Sequence, residues 1–180
     1  MLTIDKLIRA GQGLAPTLRR RASSVELDWD TRQKSRFAGV DSRGRDFGVF
    51  LPRGSVVRGG DVLLADDGSL IEVRAAAQPV LTVRHCPQHG TPLDLLRAAY
   101  HLGNRHVPLE VRSDLLQLEP DHVLADLLRR MRLIVTENHA PFEPEAGAYG
   151  GAGAGHPAHH HGHDHDHPAL PATDLAARGP

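Results

Sequence analysis

Tyr100-His-Leu-Gly-Asn-Arg-His-Val-Pro-Leu-Glu-Val111 is the stretch on which the fold of this chain turns. Upstream, Thr91-Pro92-Leu93-Asp94 reads as a helix start, with Thr91 as N-cap, Pro92 in the first helical position and Asp94 completing a capping box. Leu95, Leu96, Ala99 and Leu102 then recur at helical spacing, and Gly103 is the expected left-handed stop. After the turn, Val107, Leu109 and Val111 alternate as a strand. The stretch therefore reads as helix end, tight turn and strand start, with His101 and His106 on either side of the turn.

Extending the reading in both directions gives a repeating unit. Val80–Val83 is a strand before the helix, and Leu116 and Leu118 form another after a Ser113-Asp114 turn. Pro120-Asp121 opens a second helix, with acid at its positive end and Val123, Leu124, Leu127, Leu128 and Met131 on its apolar face. Leu133–Thr136 closes with a fourth strand. The order β-α-β-β-α-β is the split, ferredoxin-like arrangement. Residues 1–76 have a different rhythm. Short apolar runs are separated by Asp41-Ser-Arg-Gly44, Pro52-Arg-Gly54, Gly59-Gly-Asp61 and Asp66-Asp-Gly68, which predicts a small all-β domain. In it Val25–Trp29 is read as a strand and Arg32–Arg36 as a charged link. The expected class is α+β, with a β domain over 1–76, a ferredoxin-like domain over 77–149 and a disordered His-rich tail over 150–180.

Bulk properties narrow the function. Formal net charge is −1, and no segment is basic enough for a nucleic-acid footprint. No run approaches the ~20 apolar residues of a membrane span, and no secretory leader is seen, so the expected location is cytoplasmic. The single cysteine, Cys86, excludes an intrachain disulfide and fits a reducing compartment. No Ser/His/Asp set, phosphate loop, carboxylate pair or HExxH-like spacing stands out, so the chain is not expected to be an enzyme.

The composition stands out in its 13 histidines. Seven lie in the twelve residues 156–167: His156, His159, His160, His161, His163, His165 and His167, with Asp164 and Asp166 between them. Imidazoles at this spacing can wrap a borderline ion such as nickel, copper, zinc or cobalt, and composition does not choose among these. His101 reads either as a ligand or as a helix-end imidazole facing the dipole. His106 alone cannot hold an ion strongly, but a two-fold axis would place it opposite its own copy. His122, beside Asp121, reads as a cap or a ligand, and His139 as an auxiliary ligand near the tail. His85-Cys86-Pro-Gln-His89 is a weak chelate signal without a second ligand pair.

Several of these motifs resemble one family. Tyr100–Val111, Asp121-His-Val-Leu124, Pro141–Tyr149, Leu51-Pro-Arg-Gly54 and Gly60-Asp-Val-Leu63 occur in the order found in the urease accessory nickel metallochaperones, the UreE family. The resemblance implies a homodimer built through the ferredoxin-like domains. It implies Ni(II) as cargo, delivered to apo-urease with the accessory GTPase and the other accessory proteins; Zn(II) and Cu(II) are the expected competitors. It makes His106 the central interfacial ligand, one from each subunit, and His101 a second histidine of lesser role. His122 matches a peripheral position, although the family often has a histidine two residues earlier, where this chain has Pro120. The tail histidines match an additional metal reservoir. The rival reading is a histidine-rich storage or buffering protein whose working part is the tail.

Overall fold

A computed structural model describes residues 1–146. The expected tail, with its seven histidines, lies outside the described residues.

Alternating short strands build a six-stranded first sheet: β1 Leu2–Ile8, β2 Ser23–Leu27, β3 Arg36–Val40, β4 Asp46–Phe50, β5 Val62–Ala65 and β6 Leu70–Ala75. Their order is β2-β6-β5-β1-β4-β3, with β1–β4 and β2–β6 parallel and the other pairs antiparallel. Alternate side chains close a core of Ile4, Val25, Leu27, Phe47, Val49, Leu63, Ile71 and Val73. The turns use glycine where φ is positive, as at Gly54 (+81°) and Gly60 (+85°).

This region is sheet-rich but not all-β. Helix α1 spans Pro16–Arg21 and α2 spans Trp29–Arg32. Trp29 therefore does not continue the strand that precedes it. Asp28 stops that strand by capping α2, its side chain accepting from the Thr31 N–H at 2.8 Å. Arg32, expected on a charged surface link, is completely buried.

The second sheet begins at once, since β6 ends at Ala75 and β7 spans Ala77–His85. It continues through α3 Pro92–Gly103, β8 Glu110–Val111, β9 Leu116–Leu118, α4 His122–Arg130 and β10 Leu133–Pro141. The strand order is β10-β7-β9-β8, and every pair is antiparallel. Both helices lie against this sheet, Leu95, Ala98 and Leu102 of α3 and Ala125 and Leu128 of α4 packing with Leu81, Val83, Leu116, Leu118 and Leu133. The Thr91–Asp94 capping box is formed, and Asp121 caps α4 by accepting from the Leu124 N–H at 2.9 Å. The strand expected over Val107–Val111 shrinks to two residues, Glu110 and Val111.

Met1–Ala146 forms one compact unit. A third apolar cluster of Trp29, Val80 and Phe142, with Val56 and Ala140 against it, joins α2 and the β4–β5 connection to strands β7 and β10 of the second sheet.

Candidate metal site

The end of α3 departs from expectation in an informative way. Gly103 stays inside the helix, and Asn104 after it keeps helical dihedrals (φ −64°, ψ −16°). The left-handed residue is His106, at φ +56°. The Val107 N–H donates to Leu102 O at 3.2 Å, and the His106 N–H donates to Gly103 O at 2.9 Å. These are the two bonds of a Schellman motif, with His106 in the position usually held by glycine. Val107 packs in the same apolar cluster as Leu102, which is the hydrophobic contact such a turn favours. The turn therefore forms with a bulky imidazole in a backbone region that costs an L-residue about 1–2 kcal/mol. The imidazole gains no burial in return, because His106 is exposed. Strain of this kind concentrates at functional positions.

His101 occupies the last turn of α3 and is exposed, its ring edge-on to Tyr100 with centroids 5.4 Å apart. Leu93, Leu96 and Tyr100 follow one another at helical spacing on the same helix and are 51%, 65% and 70% exposed. With Leu95, Ala98 and Leu102 turned into the core, α3 thus carries a second apolar stripe that the described residues do not cover.

The other candidates are scattered. His122 is the first residue of α4 and is exposed; the cap is supplied by its neighbour Asp121. His139 is exposed on β10, at a hollow of about 160 Å³ shared with Pro79, Pro120 and Glu137. Cys86 Sγ lies 3.5 Å from His89 Nδ1, and this contact, with the Gln88 and His89 amides, lowers the thiol pKa from its ordinary value. Among the described residues, no three of His, Cys, Asp or Glu converge on one point that could hold a metal ion. His101, His106 and His122 do not form a closed site within one chain.

Sequence reasoning missed the burial of two charged residues, Asp61 and Arg32. Asp61, in the Gly60-Asp-Val-Leu63 motif, is buried and accepts from the Ala10 N–H (2.8 Å), the Arg58 N–H (2.9 Å) and Arg9 Nη1 (3.0 Å). Arg32 donates to Leu27 O, Phe142 O and Glu143 Oε1. Burial lowers its pKa, and the Glu143 carboxylate opposes that shift. Arg32 and Arg58 also stand over the Trp29 ring, 5.4 and 4.8 Å from its centroid. The sequence signal for such a network was faint: Arg32 lies in a run of charged residues, and its partner Glu143 stands 111 residues away.

Comparison with known proteins agrees with the motifs. Residues 4–76 match the family model described as UreE urease accessory protein, N-terminal domain, and residues 78–167 match that of the C-terminal domain. The chain belongs to the UreE family. A urease accessory protein UreE from Methylibium petroleiphilum is 71% identical over 154 residues, covering 86% of this chain and 71% of the relative. That of Paracidovorax citrulli is 69% identical, covering 85% and 73%. That of Albidiferax ferrireducens is 67% identical, covering 85% and 88%. The relatives in this family are named accessory proteins, not enzymes. No helix of the described residues is long and apolar enough to cross a membrane.

Proposed function

We propose that this chain is a metallochaperone that binds Ni(II) and delivers it to apo-urease during assembly of the urease metallocentre. Membership of a family of urease accessory proteins supports the setting. The observation that carries the metal role is His106, an exposed imidazole held at φ +56° where glycine would be cheaper. A single imidazole binds weakly, so the site is read as shared: two copies of His106 facing across a two-fold axis, with nickel as cargo between them. The uncovered stripe Leu93, Leu96 and Tyr100 on the helix leading to His106 supports a homodimer through this face.

In this reading His101 lies next to the shared site in a lesser role and His122 binds peripherally. His156, His159, His160, His161, His163, His165 and His167 raise the local metal concentration and exchange ligands with the central pair. Zn(II) and Cu(II) compete for the same imidazoles. The accessory GTPase and the other urease accessory proteins are the partners, in the cytoplasm. The chain divides into a docking domain over 1–76, a ferredoxin-like domain over 77–149 and a His-rich tail over 150–180. The strand order β10-β7-β9-β8, with both helices against that sheet, supports the ferredoxin-like assignment.

Nickel titration of His106→Ala alongside the unmodified chain tests the reading. Loss of the tightest class of sites, about one per dimer, is expected. Unchanged tight binding would move the metal chemistry to the tail and favour the storage function.

A further inference from the structure

The loop bearing His106 ends on a weak support. Val107–Leu109 belong to no strand, and β8, at the edge of its sheet, pairs with β9 through two residues only, Glu110↔Gln117 and Val111↔Leu116. Val107 and Leu109 also pack in the helix–sheet core, and the hydrogen bonds that tie this short segment's end to the rest of the chain come from the residues after β10. The Glu143 N–H donates to Glu110 Oε2 at 2.7 Å, and the Glu145 N–H donates to Leu109 O at 2.8 Å. Residues 143–145 are in turn fastened to the first sheet's region. The Glu143 carboxylate accepts from Arg32 Nη1 and from the Gly59 N–H at 2.8 Å, with Arg58 Nη1 at 3.4 Å. Arg32 also donates to Phe142 O, and Arg58 to Pro144 O. Gly59 is matched to this contact, since a Cβ there would stand 2.9 Å from Glu143 Oε1.

We propose that Glu143 is a positioning residue for the His106 site: its carboxylate clasps Arg32 and the Gly59 N–H, its amide N–H holds Glu110, and it thereby sets the segment in which the Glu145 N–H holds Leu109 O. The inference rests on the reading of His106 as the shared nickel ligand. Its physical content is that the geometry of a two-imidazole site depends on where each loop is held, and the two-residue ladder of β8 adds little directional restraint to the packing of Val107 and Leu109. Groups bonded directly to a metal ligand change metal affinity about 10–100-fold when removed, and a support one step further out, acting through Leu109 and Glu110, is expected at the lower end of that range.

Two variants probe the clasp without touching a histidine. Gly59→Ala keeps every charge and pushes the Glu143 carboxylate aside; Glu143→Gln keeps the side-chain shape and removes the ion pair. Should Glu143→Gln fold poorly, the double variant Arg32→Met/Glu143→Leu removes both charges together, which buried pairs tolerate better than loss of one partner. Full-length chains, each kept below its melting temperature, are titrated with nickel sulfate against a competing chelator, with His106→Ala as reference. Amide exchange at Val107 and Glu145 is followed in metal-free protein. The expected result is about tenfold weaker tight binding in Gly59→Ala and Glu143→Gln, with faster exchange at both amides. Wild-type affinity in the folded clasp variants, while His106→Ala loses the site, would overturn this inference and leave the proposed function standing. Unchanged binding in His106→Ala would overturn both.

Discussion

Replacing His106 by glycine should make the protein more stable while removing its proposed metal ligand. The residue sits at φ +56° in a turn otherwise closed by the Leu102, Gly103 and Val107 backbone bonds. An L-residue in the left-handed region costs about 1–2 kcal/mol, and glycine escapes that cost. Glycine also loosens the unfolded chain, which takes back about 0.4–1 kcal/mol. His106 is exposed, so truncation forfeits little packing. The balance is a gain of about 1 kcal/mol, or roughly 3 °C in melting temperature for a unit of this size. His106→Ala keeps the strain and should stay within about 0.5 kcal/mol of the parent. Both variants are melted in excess chelator, so that metal binding does not enter. Trp29, the single tryptophan and a buried one, gives the fluorescence signal. A His106→Gly protein no more stable than His106→Ala would refute the reasoning, because it would mean the backbone there carries no strain.

Three further outcomes follow from the same structure. Phe142 is fully buried with its ring edge-on to Trp29 at 6.3 Å, so Phe142→Ala should cost about 3–5 kcal/mol in a urea titration. Asp121→Ala removes the cap of α4 and should cost about 1 kcal/mol, read as lost helicity and a lower melting temperature. Burial alone would raise the pKa of Asp41, but bonds from the Arg45 amide, the Ser23 hydroxyl, the Arg45 side chain and the Arg43 amide outweigh it and hold the pKa well below the carboxylate range. Its contribution to stability is therefore fully present above the unfolded value of about 4 and is lost as pH falls below that. Asp41→Asn should flatten the acid limb of the stability curve between about pH 4 and pH 2, measured by urea unfolding.

Much of the second half was legible because its signals are local. Thr91, Pro92 and Asp94 lie within one helical turn, and Asp121 directly precedes α4, so capping chemistry alone marks both helix starts. The end of α3 was misread for a reason equally physical. A glycine near a helix end is the usual left-handed stop, yet here closure is decided by Leu102 and Val107 meeting in the core, which pushes the left-handed position onto His106. In the first half, Pro16 did mark a helix start, but basic residues filled the turn that followed and no apolar stripe announced it. The burial of Arg32 was invisible for a different reason. Its partners, Phe142 and Glu143, are brought to it by the folding of the whole chain, and no pattern within a window of ten residues records that. The stripe Leu93, Leu96 and Tyr100 was half visible: Leu95 and Leu96 both look like core, and only the structure separates the buried face from the uncovered one.

The shared nickel site at His106 is tested most directly by titrating nickel into the chain ending at Gly150, with solution mass measured alongside. This removes the tail histidines and retains the compact unit Met1–Ala146. A dimer that binds about one tight nickel per two chains, and loses it in His106→Ala, is the predicted result. A monomer, or a dimer whose tight binding disappears with the tail or survives His106→Ala, would contradict it.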